Sequence, residues 1–523
     1  MLQIINSFRG TEDQFLIEWF YLLVISLIVI VLAGAFLLIK SKLKIHQIYF
    51  AVVLWLGIIF MAVLPPLSAP DEVLHFAGAY ELSNKIMMTT PRDEDGNIII
   101  RQEDEFIVNW PGDNDLTRAT VLGQTLSRPV YEELHKYGFF PALAEGESIT
   151  LQQPVRTTPF AYLMPALGIT LARIMGLSAF GLLYLGRFMN LLLFSVMGAF
   201  AVRRTPLGKK VFFAVSLFPM TLELAGSYSY DCFIMSMSFY LVAVIFDHAV
   251  KDVGDKIKLR DVLEMAVLAI LLSPCKMIYS ILFLLCLMIP VVRWKEPSFI
   301  RWGGTVCLIG LLIAGSIIFV NLREMLRYVN VSGVTEAPEF TSSGAVNTVK
   351  LHDLNELIQD KTLIFRIIRN TFQILGTEYL GTTVGMWLGA FDRGLSTSTP
   401  MLFGFWGAAL FNALFGHKGE PYIKLWKRLL MAGTAVIITF ILLTSMLLSF
   451  TPADIFYILG VQGRYFLPYL PVLLIALRSE RLDEIVGRLS VMEIASSGML
   501  VLEMIMDSAV LLGCFITVIN RVG

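Results

Sequence analysis

Charge is scarce in this sequence. Only 16% of its residues are Asp, Glu, Lys or Arg, against 56% hydrophobic, whereas soluble domains run near a quarter charged. A chain of 523 residues has no interior large enough to hide 37 Phe, 23 Met and its aliphatic side chains from water. A soluble globular protein is therefore excluded, and lipid is the expected solvent. An excess of either sign is also missing: 41 basic against 42 acidic residues leave a net charge of −1, which argues against nucleic acid as a partner. Paired cysteines are absent too. Cys232, Cys275, Cys286, Cys307 and Cys514 lie scattered in apolar runs, so neither a disulfide framework nor a zinc site is indicated. No metal and no cofactor is expected, a divalent ion being conceivable but unsupported. There is no signal-peptide cleavage pattern either. The run Phe15 to Ile39 is too long for a signal core and ends in Lys40, Lys42 and Lys44, so it is expected to remain as a transmembrane helix.

Apolar runs near the roughly 20 residues that span a bilayer fall at 15–39, 45–64, 181–202, 211–228, 232–249, 302–322, 400–416, 429–450, 464–477 and 497–518, with a tight pair at 262–292. Basic clusters follow them at Lys40/Lys42/Lys44, Arg203/Arg204/Lys209/Lys210, Lys251/Lys256/Lys258/Arg260, Arg293/Lys295/Arg301, Lys418/Lys424/Lys427/Arg428 and Arg478/Arg481/Arg488. Excess Lys and Arg mark cytoplasmic loops, and the alternation gives about twelve spans with both termini outside. Parity makes Phe160 to Leu177, which holds Pro165 and Arg173, an outer-surface helix, and likewise Phe365 to Trp387, which holds Arg366, Arg369 and Glu378. An Asp-Gly turn signal within Pro91 to Arg101, between strand-like flanks, predicts small mixed structure in the first outer loop. The expected fold is an all-α polytopic membrane protein. An extra N-terminal helix occupies 1–44, a core with a large outer loop at 65–180 runs over 45–322, a second outer loop with a surface helix over 323–399, and C-terminal spans over 400–523. No internal repeat stands out, so an inverted-repeat transporter has no support at this level.

The second run ends in Leu64-Pro-Pro-Leu-Ser-Ala-Pro-Asp71-Glu72-Val-Leu-His75. Two adjacent carboxylates thus emerge where the chain leaves the membrane. Ser68 or Asp71 could cap a helix starting there, and acids in a first turn suit its dipole. Ionisable groups at the hydrocarbon boundary are nonetheless functional candidates, and Asp71 and Glu72 are expected to be catalytic. His75, one turn on, supports a carboxylate more readily than a metal. Between the paired runs sits Lys276. The limb Val262 to Cys275 reaches about 21 Å at 1.5 Å per residue, short of the roughly 30 Å hydrocarbon core, so Lys276 lies below the surface. It either snorkels or pairs with Asp71, Glu72 or Asp231, or it binds a lipid phosphate. Arg464, with a planar fork suited to phosphate, either does the same or anchors the interface beside Tyr465 and Tyr469. Arg187, inside the third span, requires an anion. Glu503 and Asp507, one turn apart in the last span, are expected to aid packing or pair with a basic residue.

The segments Pro70-Asp-Glu-Val-Leu-His-Phe-Ala-Gly-Ala-Tyr80, Phe218-Pro-Met-Thr-Leu-Glu-Leu-Ala-Gly-Ser-Tyr-Ser-Tyr-Asp231, Pro274-Cys-Lys-Met-Ile-Tyr279 and Gly460-Val-Gln-Gly-Arg-Tyr-Phe-Leu-Pro468 resemble the bacterial membrane family known as domain of unknown function 2142. That family in turn resembles the GT-C class of integral-membrane glycosyltransferases. The resemblance implies a GT-C-like fold in a bacterial plasma membrane. It also implies transfer of a sugar from a polyprenyl-phosphate donor to an extracytoplasmic acceptor such as a polysaccharide, glycolipid or protein. In that class an acid in the first outer loop is catalytic, a place held here by Asp71 and Glu72. Lys276, Arg464 and Arg187 would bind the donor phosphate, with His75, Asp231, Tyr279 and Gln462 in support, and direct attack would invert the anomeric carbon. The rival expectations are a lipid-linked saccharide transporter or flippase, a polysaccharide polymerase or ligase that would use Arg366 and Arg369, and a non-catalytic scaffold whose acids only cap a helix.

Overall fold

A computed structural model describes residues 2–105, 126–140, 144–155, 157–252, 254–294, 336–340, 346–389, 392–415, 419–478, 481–482, 484 and 491–521. The expected span at 302–322, Cys307, and the basic residues Lys295, Arg301, Lys418 and Arg488 lie outside the described residues.

The described chain is chiefly helical. Its helices include α1 (Phe15–Ile39), α2 (Ile45–Val63), α3 (Glu72–Ile86), α4 (Pro129–Tyr137), α5 (Pro159–Ile174), α6 (Ala179–Arg204), α7 (Lys209–Ser216), α8 (Pro219–Ala225), α9 (Asp231–Val250), α10 (Leu259–Leu272), α11 (Leu363–Val384), α12 (Thr399–Phe415), α13 (Leu425–Phe450), α14 (Leu470–Ala476) and α15 (Val491–Ile519). Among the described residues six helices are long and apolar enough to cross a membrane: α1 with the turn before it, α2, α6, α9, α13 and α15. The exposed Leu22, Ile25, Leu32 and Phe36 of α1 form the surface that a lipid solvent requires. The other expected spans in the described chain are shorter or broken. The run 211–228 divides into α7 and α8 at Leu217–Phe218, because Pro219 holds Phe218 in an extended conformation (φ −61°, ψ 132°). The run 464–477 divides into a 3-10 turn, Gly463–Tyr469, and α14, with Pro468 and Pro471 at the junction. Hydropathy alone hid both interruptions. The pair at 262–292 is α10 followed by a 3-10 stretch, Met277–Met288.

Three two-stranded antiparallel ribbons complete the described elements. The strand β1 (Ile98–Arg101) lies beside the expected Asp-Gly turn, but its ladder partner is β2 (Glu147–Thr150); only one bridge, Arg92 to Ile98, closes the local hairpin. The local sequence carried the turn and not the pairing. The helices α9, α2 and α5 all pack on α6, and α3 packs on α5. At Gly168 of α5 a Cβ would come within 2.7 Å of the Gly186 Cα of α6, so the pair of glycines permits this backbone approach. The layer α2–α6–α9 thus carries the loop ends of α3, α5 and α9 to one place.

Candidate active site

Pro65, Pro66 and Pro70 stop α2 and bend the chain before α3 begins. Asp71 takes the N-cap position in the left-handed region, at φ 58° and ψ 14°, a conformation that costs a non-glycine residue free energy. Its carbonyl accepts the His75 amide at 3.2 Å, yet its carboxylate makes no capping bond. The carboxylate instead accepts a 2.9 Å hydrogen bond from Arg464. Arg464 is buried, also reaches the Pro70 carbonyl at 3.4 Å, and lies 3.6 Å from the Asp231 carboxylate at the start of α9. One guanidinium therefore joins an acid of the α3 mouth to an acid of α9, while the Asp71 side chain remains 36% exposed.

Glu72 points elsewhere. It is buried, accepts the Ala69 and Tyr228 amides at 2.9 and 3.0 Å, and lies 3.2 Å from Arg187. Arg187 is buried too and donates to the Leu64 carbonyl at 2.8 Å. Burial pushes the Glu72 carboxyl above its ordinary value, while Arg187 and the amides pull it back. The anion that Arg187 required is Glu72, so these two expected site residues form a sealed pair that ties α3 to α6. Neither lines the cavity beside Lys276.

Lys276 follows the turn after α10 in an extended conformation. Among the described residues no carboxylate lies within ion-pair distance of it; its ammonium sits over the ring of Tyr465 at 3.7 Å, with the Tyr230 and Tyr279 rings at 5.6 and 5.9 Å. Ring faces attract a cation electrostatically without neutralising it. Tyr279 is held by its own hydroxyl, which donates to the Tyr465 carbonyl at 3.0 Å. Lys276, Tyr230 and Tyr465 line a cavity of about 910 Å³ whose other walls are mainly apolar, including Met277, Ile281 and Leu284 of the 3-10 stretch and Ile437 and Leu442 of α13, with Ser273, Ser280 and Ser445 among them.

His75 joins the two parts. Its Nδ1 shares a 2.8 Å hydrogen bond with the Tyr162 hydroxyl of α5, and its ring lies 4.7 Å from that of Tyr230. Burial, followed by the Arg464 and Lys276 cations, holds the imidazole well below its ordinary value, so it orients neighbours as a neutral group. Gln462 stands at the N-cap position of the 3-10 turn that carries Arg464 without a side-chain capping bond, and its side-chain oxygen is buried without a hydrogen-bond partner among the described residues.

Asp71, His75, Asp231, Lys276, Tyr279 and Arg464 are thus linked through direct contacts and shared rings. The chain from residue 54 to 473 matches the family of predicted membrane proteins designated DUF2142. It belongs to that family. No curated protein and no solved structure matches it. Of the DUF2142 site groups described here, sequence reasoning missed Tyr162 and Tyr230, and it took Tyr465 for an interfacial anchor. The adjacency of Tyr230 to Asp231 and of Tyr465 to Arg464 was the available signal; nothing local marked Tyr162. Arg366 lies away from this cluster, in an exposed pair with Asp360 at 2.6 Å, and Arg369 is exposed. Glu503 and Asp507 are fully buried, and none of their carboxyl oxygens has a hydrogen-bond partner among the described residues. Of the two expectations for them, packing or a basic partner, no basic partner is found among the described residues.

Gly463 fixes where Arg464 sits. Its amide donates to Thr382 Oγ1 and its carbonyl accepts from Thr383 Oγ1, both at 3.1 Å, and a Cβ there would lie 2.1 Å from the Thr383 nitrogen. Gly463→Ala must push the turn off α11. The expected cost is about 1–3 kcal/mol, the usual range for overpacking, read as a lowered thermal midpoint in detergent.

Proposed function

We propose that this membrane protein is a GT-C-like glycosyltransferase, with about twelve spans in a bacterial plasma membrane, that moves a sugar from a polyprenyl-phosphate donor to an extracytoplasmic acceptor. One observation carries the reading: a single lysine, unpaired by any described carboxylate, lining a lipid-sized, mainly apolar cavity. The Asp71–Arg464–Asp231 cluster lies within its electrostatic reach. An isoprenoid tail suits the Met, Ile and Leu walls, and the phosphate suits Lys276. In this reading Arg464 exchanges Asp71 for the phosphate while Asp231 remains beside it. The freed Asp71 carboxylate takes the proton of the acceptor hydroxyl. The acceptor oxygen forms a bond to the anomeric carbon as the carbon–oxygen bond to phosphate breaks, with inversion. The polyprenyl phosphate departs with the bonding electron pair, stabilised by Lys276 and Arg464. Glu72 and Arg187 hold the mouth of α3 in place without touching the donor. Polysaccharides, glycolipids and proteins of the cell envelope are the acceptor classes open to such a site.

Lys276→Met keeps a long flexible side chain and removes the charge. It is expected to weaken donor binding by at least about tenfold, the equivalent of 1.4 kcal/mol, measured by titrating a short-chain polyprenyl-phosphate sugar against protein in liposomes. Unchanged donor affinity would remove Lys276 from the phosphate site. The interruptions between α7 and α8 and before α14 favour a second reading, a flippase for the same lipid-linked sugar. Movement of the intact lipid across the liposome bilayer with no new glycosidic bond would select it.

A further inference from the structure

The helix that presents Asp231 at one end presents His248 near the other, about 25 Å along its axis at 1.5 Å per residue. His248 is 1% exposed, and neither of its ring nitrogens has a hydrogen-bond partner among the described residues. A buried imidazole in this state is uncommon, because unpaired buried polar atoms are costly. Two carboxylates of α10 face it. The ligand atoms of His248, Asp261 and Glu264 all lie within 4.8 Å of one another.

The surroundings orient both acids. Asp261 Oδ2 accepts the Lys258 amide at 2.9 Å, which caps α10, and Glu264 Oε1 accepts the Tyr240 hydroxyl at 2.6 Å. The second oxygen of each is engaged only at longer range: Arg260, whose side chain is 80% exposed, is 3.5 Å from Asp261 Oδ1, and Arg204 is 3.7 Å from Glu264 Oε2. Arg204 makes its shorter contact to Asp247, at 2.7 Å, and Asp247 also binds Lys251 at 2.8 Å.

We propose that His248, Asp261 and Glu264 bind a divalent first-row transition ion of the Zn²⁺ class, clipping the end of α9 to the first turns of α10. One nitrogen and two carboxylate oxygens suit such an ion, and the imidazole disfavours Mg²⁺ and Ca²⁺. The Tyr240 and Lys258 hydrogen bonds are the outer contacts that aim metal-binding carboxylates. The three residues are separated by 13 and 3 positions across a loop, so no compact motif announces them. The site is remote from Asp231, and it stands or falls independently of sugar transfer.

The experiment uses full-length protein without a histidine tag, stripped with a chelator and dialysed against micromolar Zn²⁺ in excess Mg²⁺. About one Zn²⁺ per chain is expected by elemental analysis, and Asp71→Asn should bind it equally well. His248→Ala and Glu264→Gln should each weaken Zn²⁺ binding by more than the roughly 10–100-fold that loss of an outer contact costs. Should His248→Ala fail to fold, Glu264→Gln decides, since that side chain is 28% exposed and the amide oxygen can keep the Tyr240 bond. Wild-type protein without stoichiometric Zn²⁺, or a Glu264→Gln variant with unchanged affinity, overturns the proposal.

Discussion

Asp71→Asn should lower sugar transfer by about 10²–10⁴-fold, the usual contribution of a general base, while leaving a monodisperse protein with a nearly unchanged thermal midpoint. Asn tolerates the left-handed backbone that Asp71 adopts. The Asp71 side chain is partly exposed, and Arg464 retains Asp231 and the Pro70 carbonyl, so losing one carboxylate does not leave the guanidinium unpaired. The measurement is transfer from a defined polyprenyl-phosphate sugar by purified protein in liposomes, with donor affinity determined in parallel. Loss of turnover with retained donor binding is the expected pattern. Full turnover would exclude Asp71 from an essential role.

For its neighbour the expected result is the reverse. Glu72→Gln should destabilise the fold by about 3–5 kcal/mol, since removing one partner leaves the other charge buried and uncompensated. Arg187→Met should do the same from the other side. Combining the two removes both charges together, and the double variant should recover much of the loss, giving a coupling free energy of a few kcal/mol in a double-mutant cycle. Thermal or denaturant melts of the three variants in one detergent provide the numbers. A Glu72→Gln variant that melts like wild type yet transfers no sugar would return Glu72 to the chemistry.

The opposite expectations for adjacent acids show where sequence reasoning reached its limit. Asp71 is a left-handed N-cap and Glu72 the first helical residue, so the two side chains face different surroundings, but which faces the opening depends on where Arg464 and Arg187 arrive. Those arginines come from positions nearly 400 and more than 100 residues away. Lys276 was legible as a candidate site cation because the limb before it is short. Its neutral aromatic surroundings were not, because the expected partner of a buried ammonium is an anion. Both helix interruptions were hidden for a related reason: apolar composition continues through the breaks before Pro219 and around Pro468, and hydropathy averages over them.

Hydropathy and charge spacing by themselves determined that this chain dissolves in lipid, that helices dominate it, and that most of its rare ionisable groups lie between apolar runs, with Arg187, Glu503 and Asp507 set inside them. They could do so because transferring surface from water to hydrocarbon is a local, additive quantity. Tertiary structure alone decided which acid meets which arginine, that tyrosine rings rather than carboxylates surround Lys276, and that His248 faces Asp261 and Glu264 across a loop. The first two outcomes rest on directional contacts between segments far apart in the chain, which no short window of sequence contains; His248 and Asp261 are only 13 positions apart, and there it is the packing of α9 against α10 that decides that they meet.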